Sequence, residues 1–173
     1  LQLKIKNNLL NIHNFYVPAG GDEPDPKINE KFKHKLDFLD EATNYLKTQH
    51  KYPYTVLVGD LNIAPHENDV WSHKQLLKIV SHTPVEVEKL EKFQSSIDFI
   101  DALRKFHPLS EKLYSWWSYR SKNWEISDRG RRLDHIWITP KLNKKLIKAS
   151  IEKEVRGWDR PSDHSPLIAD FKL

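Results

Sequence analysis

The 173-residue chain is 38% hydrophobic and 30% charged with a formal net charge of +4, enough for one domain with a sizeable core under a very polar surface. The absence of cysteine excludes disulfides, thiolate metal sites and thiol nucleophiles; a reducing compartment is compatible, and a cytoplasmic location is the expectation. No apolar run reaches the length of a membrane span, and the positive balance fits a polyanionic partner.

There is no methionine, so Leu1 is not an ordinary translation start, and Leu1, Leu3 and Ile5 already alternate with Gln2, Lys4 and Lys6. The expectation is a chain that lacks its natural N-terminus. Leu1–Lys6 and Leu9–Tyr16 read as strands around an Asn7-Asn8 hairpin turn. A loop with Pro18, Gly20, Gly21 and Pro24 follows, and Asp25-Pro26 predicts a helix start with Asp as N-cap. Ile28, Phe32, Leu36, Leu39, Tyr45 and Leu46 then form an amphipathic stripe, with Lys31, Lys33 and Lys35 on the wet side.

Thr55–Gly59, uncharged and bounded by Pro53 and Pro65, reads as a strand buried on both faces. The resulting β-α-β order marks an α/β layered fold. From His66 to Phe106 the pattern is mainly helical, with a capping box at Thr83-Pro84-Val85-Glu86 and an apolar stripe of Phe99, Ile100, Leu103 and Phe106. The chain then turns aromatic and basic through Trp116, Trp117, Tyr119, Arg120, Lys122, Arg129, Arg131 and Arg132. Leu133–Thr139 predicts a second buried strand, Lys141–Lys153 a short surface helix and Leu167–Leu173 a closing strand. No repeat or linker argues for a second domain.

Reactive side chains gather where predicted strands end. Asn14 and Tyr16 share a strand face before Pro18 and could reach a cleft, or Tyr16 could pack beneath the loop. Asp60 and Asn62 project to one side of an extended chain and could hold a metal ion or a water. Gly59, Asp60 and Asn62 are also common turn formers, and on this stretch alone the turn is the favoured reading. Asp134 shares a face with Ile136 and Ile138, where a carboxylate needs a partner; a structural salt bridge to Arg132 weighs nearly as much as a catalytic role. Asp163-His164 sits in a segment fixed by Pro161 and Pro166, either as a reactive pair or as a solvated loop. Trp116, Trp117 and Tyr119 could equally be core, and Arg120, Lys122, Arg129 and Arg131 solvated.

Taken in order, these stretches are more specific than any one alone. Asn14-Phe15-Tyr16-Val17-Pro18-Ala19-Gly20, Gly59-Asp60-Leu61-Asn62, Leu133-Asp134 and Arg156-Gly157-Trp158-Asp159-Arg160-Pro161-Ser162-Asp163-His164 resemble the exonuclease III branch of the endonuclease/exonuclease/phosphatase superfamily. The ending is most similar to the bacterial exodeoxyribonuclease type. The resemblance implies part of a four-layer α/β sandwich, two packed mixed sheets flanked by helices. It implies Mg²⁺-dependent (or Mn²⁺-dependent) hydrolysis of DNA phosphodiesters beside abasic sites and at 3′ ends, by a monomer acting on double-stranded DNA. Asp60 would orient or deprotonate the water, with Asn62 beside it, and Tyr16 would contact the phosphate. His164, oriented by Asp134, would contact the scissile phosphate. Asp163, with Asp60, Asn62 and His164, would serve the metal. Asn14, Trp116, Tyr119, Arg120 and Arg131 would bind DNA, largely through salt-dependent phosphate contacts.

Ala19 stands where relatives often carry Asn. Nothing here matches the family's opening Asn-rich strand or its metal-binding Gln-Glu motif. Residues 1–173 are therefore expected to be a single incomplete domain, about the C-terminal two-thirds, lacking the principal metal-binding glutamate. Two functional expectations follow: part of a full-length DNA repair nuclease, or a catalytically inactive DNA-binding fragment.

Overall fold

The computed structural model describes residues 1–49, 52–121 and 123–173; Lys122 of the basic segment lies outside the described residues. Strand β1 (Gln2–Ile5) returns through a tight turn into β2 (Asn8–Asn14). The turn falls one residue earlier than the Asn7-Asn8 expectation, with Lys6 taking the left-handed conformation at φ 52.

Helix α1 (Glu30–Lys47) begins four residues after Pro26, not at it. Asp25 instead closes a separate turn, accepting from Lys27 N–H at 2.8 Å, and Asn29 becomes the N-cap, accepting from Lys31 and Phe32 N–H. Ile28 is consequently exposed, and Phe32, Leu36, Leu39 and Leu46 carry the buried stripe. Lys35, expected on the wet side, is fully buried, because Glu86 meets it from another helix.

Strand β3 (Thr55–Asp60) runs parallel to β2, as a strand-helix-strand unit requires. The helical expectation for 66–106 holds only in part. Beyond a 3-10 turn at Glu67–Asp69 come the short α2 (His73–Leu76) and α3 (Pro84–Ser95). Helix α3 starts at the expected capping box, Thr83 accepting from Glu86 N–H and the Glu86 carboxylate accepting from Thr83 N–H. Phe99–Phe106 forms no helix: Ile100–Asp101 is strand β4, paired with β7 (Asp134–Ile138), and Phe99, Ile100 and Leu103 pack against the sheet while Phe106 is exposed. Between them lie the two-residue strands β5 (Trp116–Trp117) and β6 (Gly130–Arg131), which pair with each other, and the short α4 (Trp124–Ser127).

After β7, the lysine-rich stretch holds only the short α5 (Pro140–Asn143) before β8 (Leu146–Ile151). The predicted surface helix fails there because β9 (Leu167–Phe171) pairs along β8, a non-local contact that outweighs local propensity. The central sheet has the order β1-β2-β3-β7-β4. Side-chain alternation divides its core in two. Leu57 and Trp137 face α1 and α3, packing with Leu39, Leu46, Leu90 and Phe93. Val56, Ile136 and Ile138 face the β8–β9 hairpin through Leu146 and Ala149. Helices, central sheet and second sheet thus form successive α/β layers, as the resemblance implies. Among the described residues no helix is long and apolar enough to cross a membrane.

Candidate active site

The pairing of β3 with β7 creates the site. Their antiparallel register sets Asp60 directly opposite Asp134, two carboxylates on adjoining strands. Gly59 permits the approach of the β2 end: a Cβ there would lie 1.9 Å from the Phe15 carbonyl oxygen, and its φ of +138 is a conformation L side chains rarely adopt.

Asp60 and Asn62 meet, although not by extended alternation. Asn62 is left-handed at φ 53, and its N–H donates to Asp60 Oδ1 at 2.9 Å while its Nδ2 donates to Oδ2 at 3.0 Å. Nδ2 also donates to the Val17 carbonyl at 2.9 Å, tying the turn to the Tyr16 loop. The turn expectation thus holds, and the same turn presents Asp60 and Asn62 to a cleft. Burial, and then the charge of Asp134, push the Asp60 carboxyl up to about 6, against the opposing effects of Asn62, His164 and Lys35.

Asp134 pairs with His164, not with Arg132: its Oδ2 accepts from His164 Nδ1 at 2.8 Å and from the Ser115 hydroxyl at 2.7 Å. Burial alone would lower His164, but the bond and charge of Asp134, with Asp60 and Asp163, raise it on balance. With Nδ1 committed, Nε2 is the atom left to meet a ligand. Ser115, fully buried, also accepts from Leu133 and Asp134 N–H at 3.0 Å each. Sequence reasoning missed it, since a serine between Tyr114 and Trp116 carries no pattern of its own. The 161–166 loop is pinned to β5 through Ser165 N–H to Ser115 O and Trp117 N–H to Asp163 O.

Tyr16, Asp60, Asn62, Trp116, Arg120, Arg131 and His164 all line one cleft. Trp71, Arg129 and Leu133 line it too, with the Arg129 guanidinium 4.8 Å from the Trp71 ring and that of Arg131 5.5 Å from Trp116. Arg131 donates through Nη1 to Val80 O and Ser81 Oγ, while its Nε is buried without a hydrogen-bond partner.

Asn14 and Tyr119, expected to bind DNA, do not line this cleft. Asn14 is exposed at the end of β2, its side chain on the Gly59 side. The Tyr119 hydroxyl donates to the Pro161 carbonyl at 2.9 Å, bracing the loop that carries His164.

The expected metal donors fit poorly. Asp163 accepts from Trp116 Nε1 at 2.9 Å, His164 Nδ1 is taken by Asp134, and Asp60 is held by Asn62. Among the described residues no group of three or more His, Asp or Glu side chains could hold a metal ion. What remains is a carboxyl near 6 facing an imidazole that favours its proton, beside arginine side chains. That set can take a proton from water while stabilising an anion.

A family model described as the endonuclease/exonuclease/phosphatase family matches residues 33–164. Exodeoxyribonuclease III of Haemophilus influenzae is 32% identical over 178 aligned positions, covering 98% of this chain and 64% of the relative. An AP endonuclease from Archaeoglobus fulgidus superposes with a TM-score of 0.87 at 31% identity, over 99% of this chain and 64% of that one. The Neisseria 3′ phosphatase NExo, bound to a product DNA hairpin, gives 0.87 at 26% identity, with the same 99% and 64% coverage. The chain thus spans about 64% of the length of these relatives.

Proposed function

We propose that this chain, which belongs to the endonuclease/exonuclease/phosphatase family, carries the phosphodiester-hydrolysing site of an exonuclease III-like DNA repair nuclease. The observation that supports this reading is that Asp60 and His164 line one arginine-bearing cleft, with Asp134 behind them, opposite Asp60 in the sheet and bonded to His164.

In this reading a water molecule attacks phosphorus and the P–O bond to the leaving oxygen breaks. Asp60 takes the water's proton; a carboxyl near 6 is well matched to a general base at neutral pH. Asn62 fixes Asp60 and offers its amide oxygen to the same water. The Nε2 side of protonated His164 faces the phosphate oxygens and opposes the charge that develops on them. Asp134 and Ser115 hold the imidazole ring in that orientation, in the manner of a hydrolytic triad. Tyr16 contacts the phosphate from the rim, and Trp116, Arg120 and Arg131 hold flanking nucleotides. Mg²⁺, or Mn²⁺ in its place, would neutralise phosphorane charge when bound; the described residues do not form a site for it, and no step is routed through it. The substrate is double-stranded DNA with abasic sites or 3′ ends, acted on by a monomer, with residues 1–173 belonging to a single domain.

A second reading, a DNA-binding chain without turnover, is favoured by the absence of a three-ligand cluster among the described residues. Incubating the 173-residue chain with an end-labelled abasic duplex and Mg²⁺ separates the two. Strand incision that is lost in Asp60→Asn and on chelation supports the hydrolytic reading. Retained salt-dependent DNA binding without incision supports the second, and neither binding nor incision contradicts both.

A further inference from the structure

Lys35 on α1 and Glu86 on α3 form an ion pair at 2.6 Å with both side chains fully buried. Burying two charges is costly, and such pairs are often replaceable by uncharged side chains without loss of stability. The bonds this pair makes therefore carry more information than its Coulomb energy.

Lys35 Nζ also donates to the Asn62 carbonyl at 2.8 Å and the Ala19 carbonyl at 3.2 Å. Asn62 is the left-handed residue whose amide groups hold Asp60, and Ala19 belongs to the loop that presents Tyr16. On the other arm, the Glu86 oxygens accept from Ser81 N–H at 3.0 and 2.9 Å and from the Thr83 hydroxyl at 2.7 Å. Ser81 stands at φ 92, a backbone state that persists only where its surroundings impose it. Its hydroxyl accepts from Arg131 Nη1 at 2.7 Å. One buried pair thus reaches both walls of the cleft, the Asp60–Asn62 turn on one side and Arg131 on the other.

We infer that Lys35 and Glu86 are positioning residues that couple the placement of the Asp60–Asn62 turn to that of Arg131. In its activity readout this inference rests on the hydrolytic reading above; in its structural readout it does not.

The test is the double variant Lys35→Met/Glu86→Gln, with Lys35→Arg as a second variant that keeps the charge but moves the donors. Backbone amide exchange at Asn62 and Ser81 is read by NMR on the full chain, relative to core amides of β3 and β7. Both site amides are expected to exchange at least tenfold faster in the double variant, and Asn62 faster in Lys35→Arg, with the core amides unchanged. For a wild-type chain that cleaves, kcat is expected to fall at least tenfold in the folded double variant. Leu46→Ala, in the same core about three turns beyond Lys35 near the end of α1, is the control for mere destabilisation. It is expected to lower the Tm while leaving kcat and the relative exchange of Asn62 and Ser81 unchanged. Unchanged exchange at Asn62 and Ser81 in whichever variant folds would overturn the inference, as would Leu46→Ala reproducing the effect. A wild-type chain that does not cleave would count against the proposed function and leave the exchange result standing.

Discussion

Two clusters of carboxylates border the start of β7, and their chemistry diverges. In one, Arg132 is fully buried and pairs with Asp69 through Nε and Nη2, both at 2.8 Å, and with Asp101 through Nη1 at 2.6 Å, while Arg104 adds a further contact to Asp69. Burial alone would raise Asp69, yet the neighbouring arginines hold it down to about 2. His135 completes this cluster as a neutral imidazole, accepting from Arg132 at Nδ1 and donating from Nε2 to the Ile63 carbonyl, with its pKa pushed down to about 4 by burial and Arg132. In the other cluster, Asp60 faces Asp134 with no arginine bound to either carboxylate, and Asp60 rises to about 6. In the first cluster both carboxylates are paired with arginines, and the cluster is structural. The second is held by neutral donors and an imidazole instead, and Asp60 and His164 open onto the cleft.

The widest way to break this contrast is to disarm the cleft. Asp60→Asn or His164→Ala is expected to lower incision by about 10²–10⁴-fold, the range for a positioned acid or base, with little loss of folding stability. Single-turnover cleavage and thermal unfolding measured together check it. Disarming the other cluster should do the reverse. Asp69→Asn leaves Arg132 buried and poorly paired, and about 3–5 kcal/mol of stability should be lost by urea unfolding. DNA affinity should persist in whatever fraction remains folded.

pH separates the clusters more gently. The Asp69 pKa is depressed in the folded chain, so its contribution is present above the ordinary carboxylate value and is lost as pH falls towards 2, by about 2 kcal/mol in all. Asp60 has the opposite sign. Its folded pKa is raised, so the folded chain retains a proton that the unfolded chain has released, and stability declines as pH rises through about 6. Asp60→Asn should accordingly stabilise the protein above that pH and lose the advantage in acid, read from Tm against pH. The smallest effect is local: Asp134→Asn removes the charge that raises His164, and the imidazole titration followed by NMR should move down.

The same contrast explains what could be read from the chain alone. The Asp60–Asn62 turn, the Thr83 capping box and the Asp163-His164 loop are local: a few adjacent residues with prolines or a glycine dictate the backbone, so their types and spacing disclose them. Lys35, Ser115 and Asp69 are not local. Lys35 lies on the buried stripe by its spacing from Phe32 and Leu39, but its residue type argues for solvent, and the glutamate that lets it be buried comes from another helix. Ser115 matters because β7 and the His164 loop converge on it. Arg132 and Arg131 are neighbours of one residue type, yet one is consumed by carboxylates and the other lines the cleft. Strand β8 was hidden for the same reason, since its lysines sit on a strand that only β9 defines.

In the hydrolytic reading Asp60 acts as the base of a phosphodiester hydrolysis in this cleft. Its most direct test is the pH dependence of single-turnover incision of an abasic duplex by the 173-residue chain at fixed Mg²⁺. The rate is expected to climb with pH through about 6 as Asp60 releases its proton, and the residual Asp60→Asn rate is expected to lack this climb. An Asp60→Asn chain that cleaves within twofold of wild type, with the same pH profile, would contradict it.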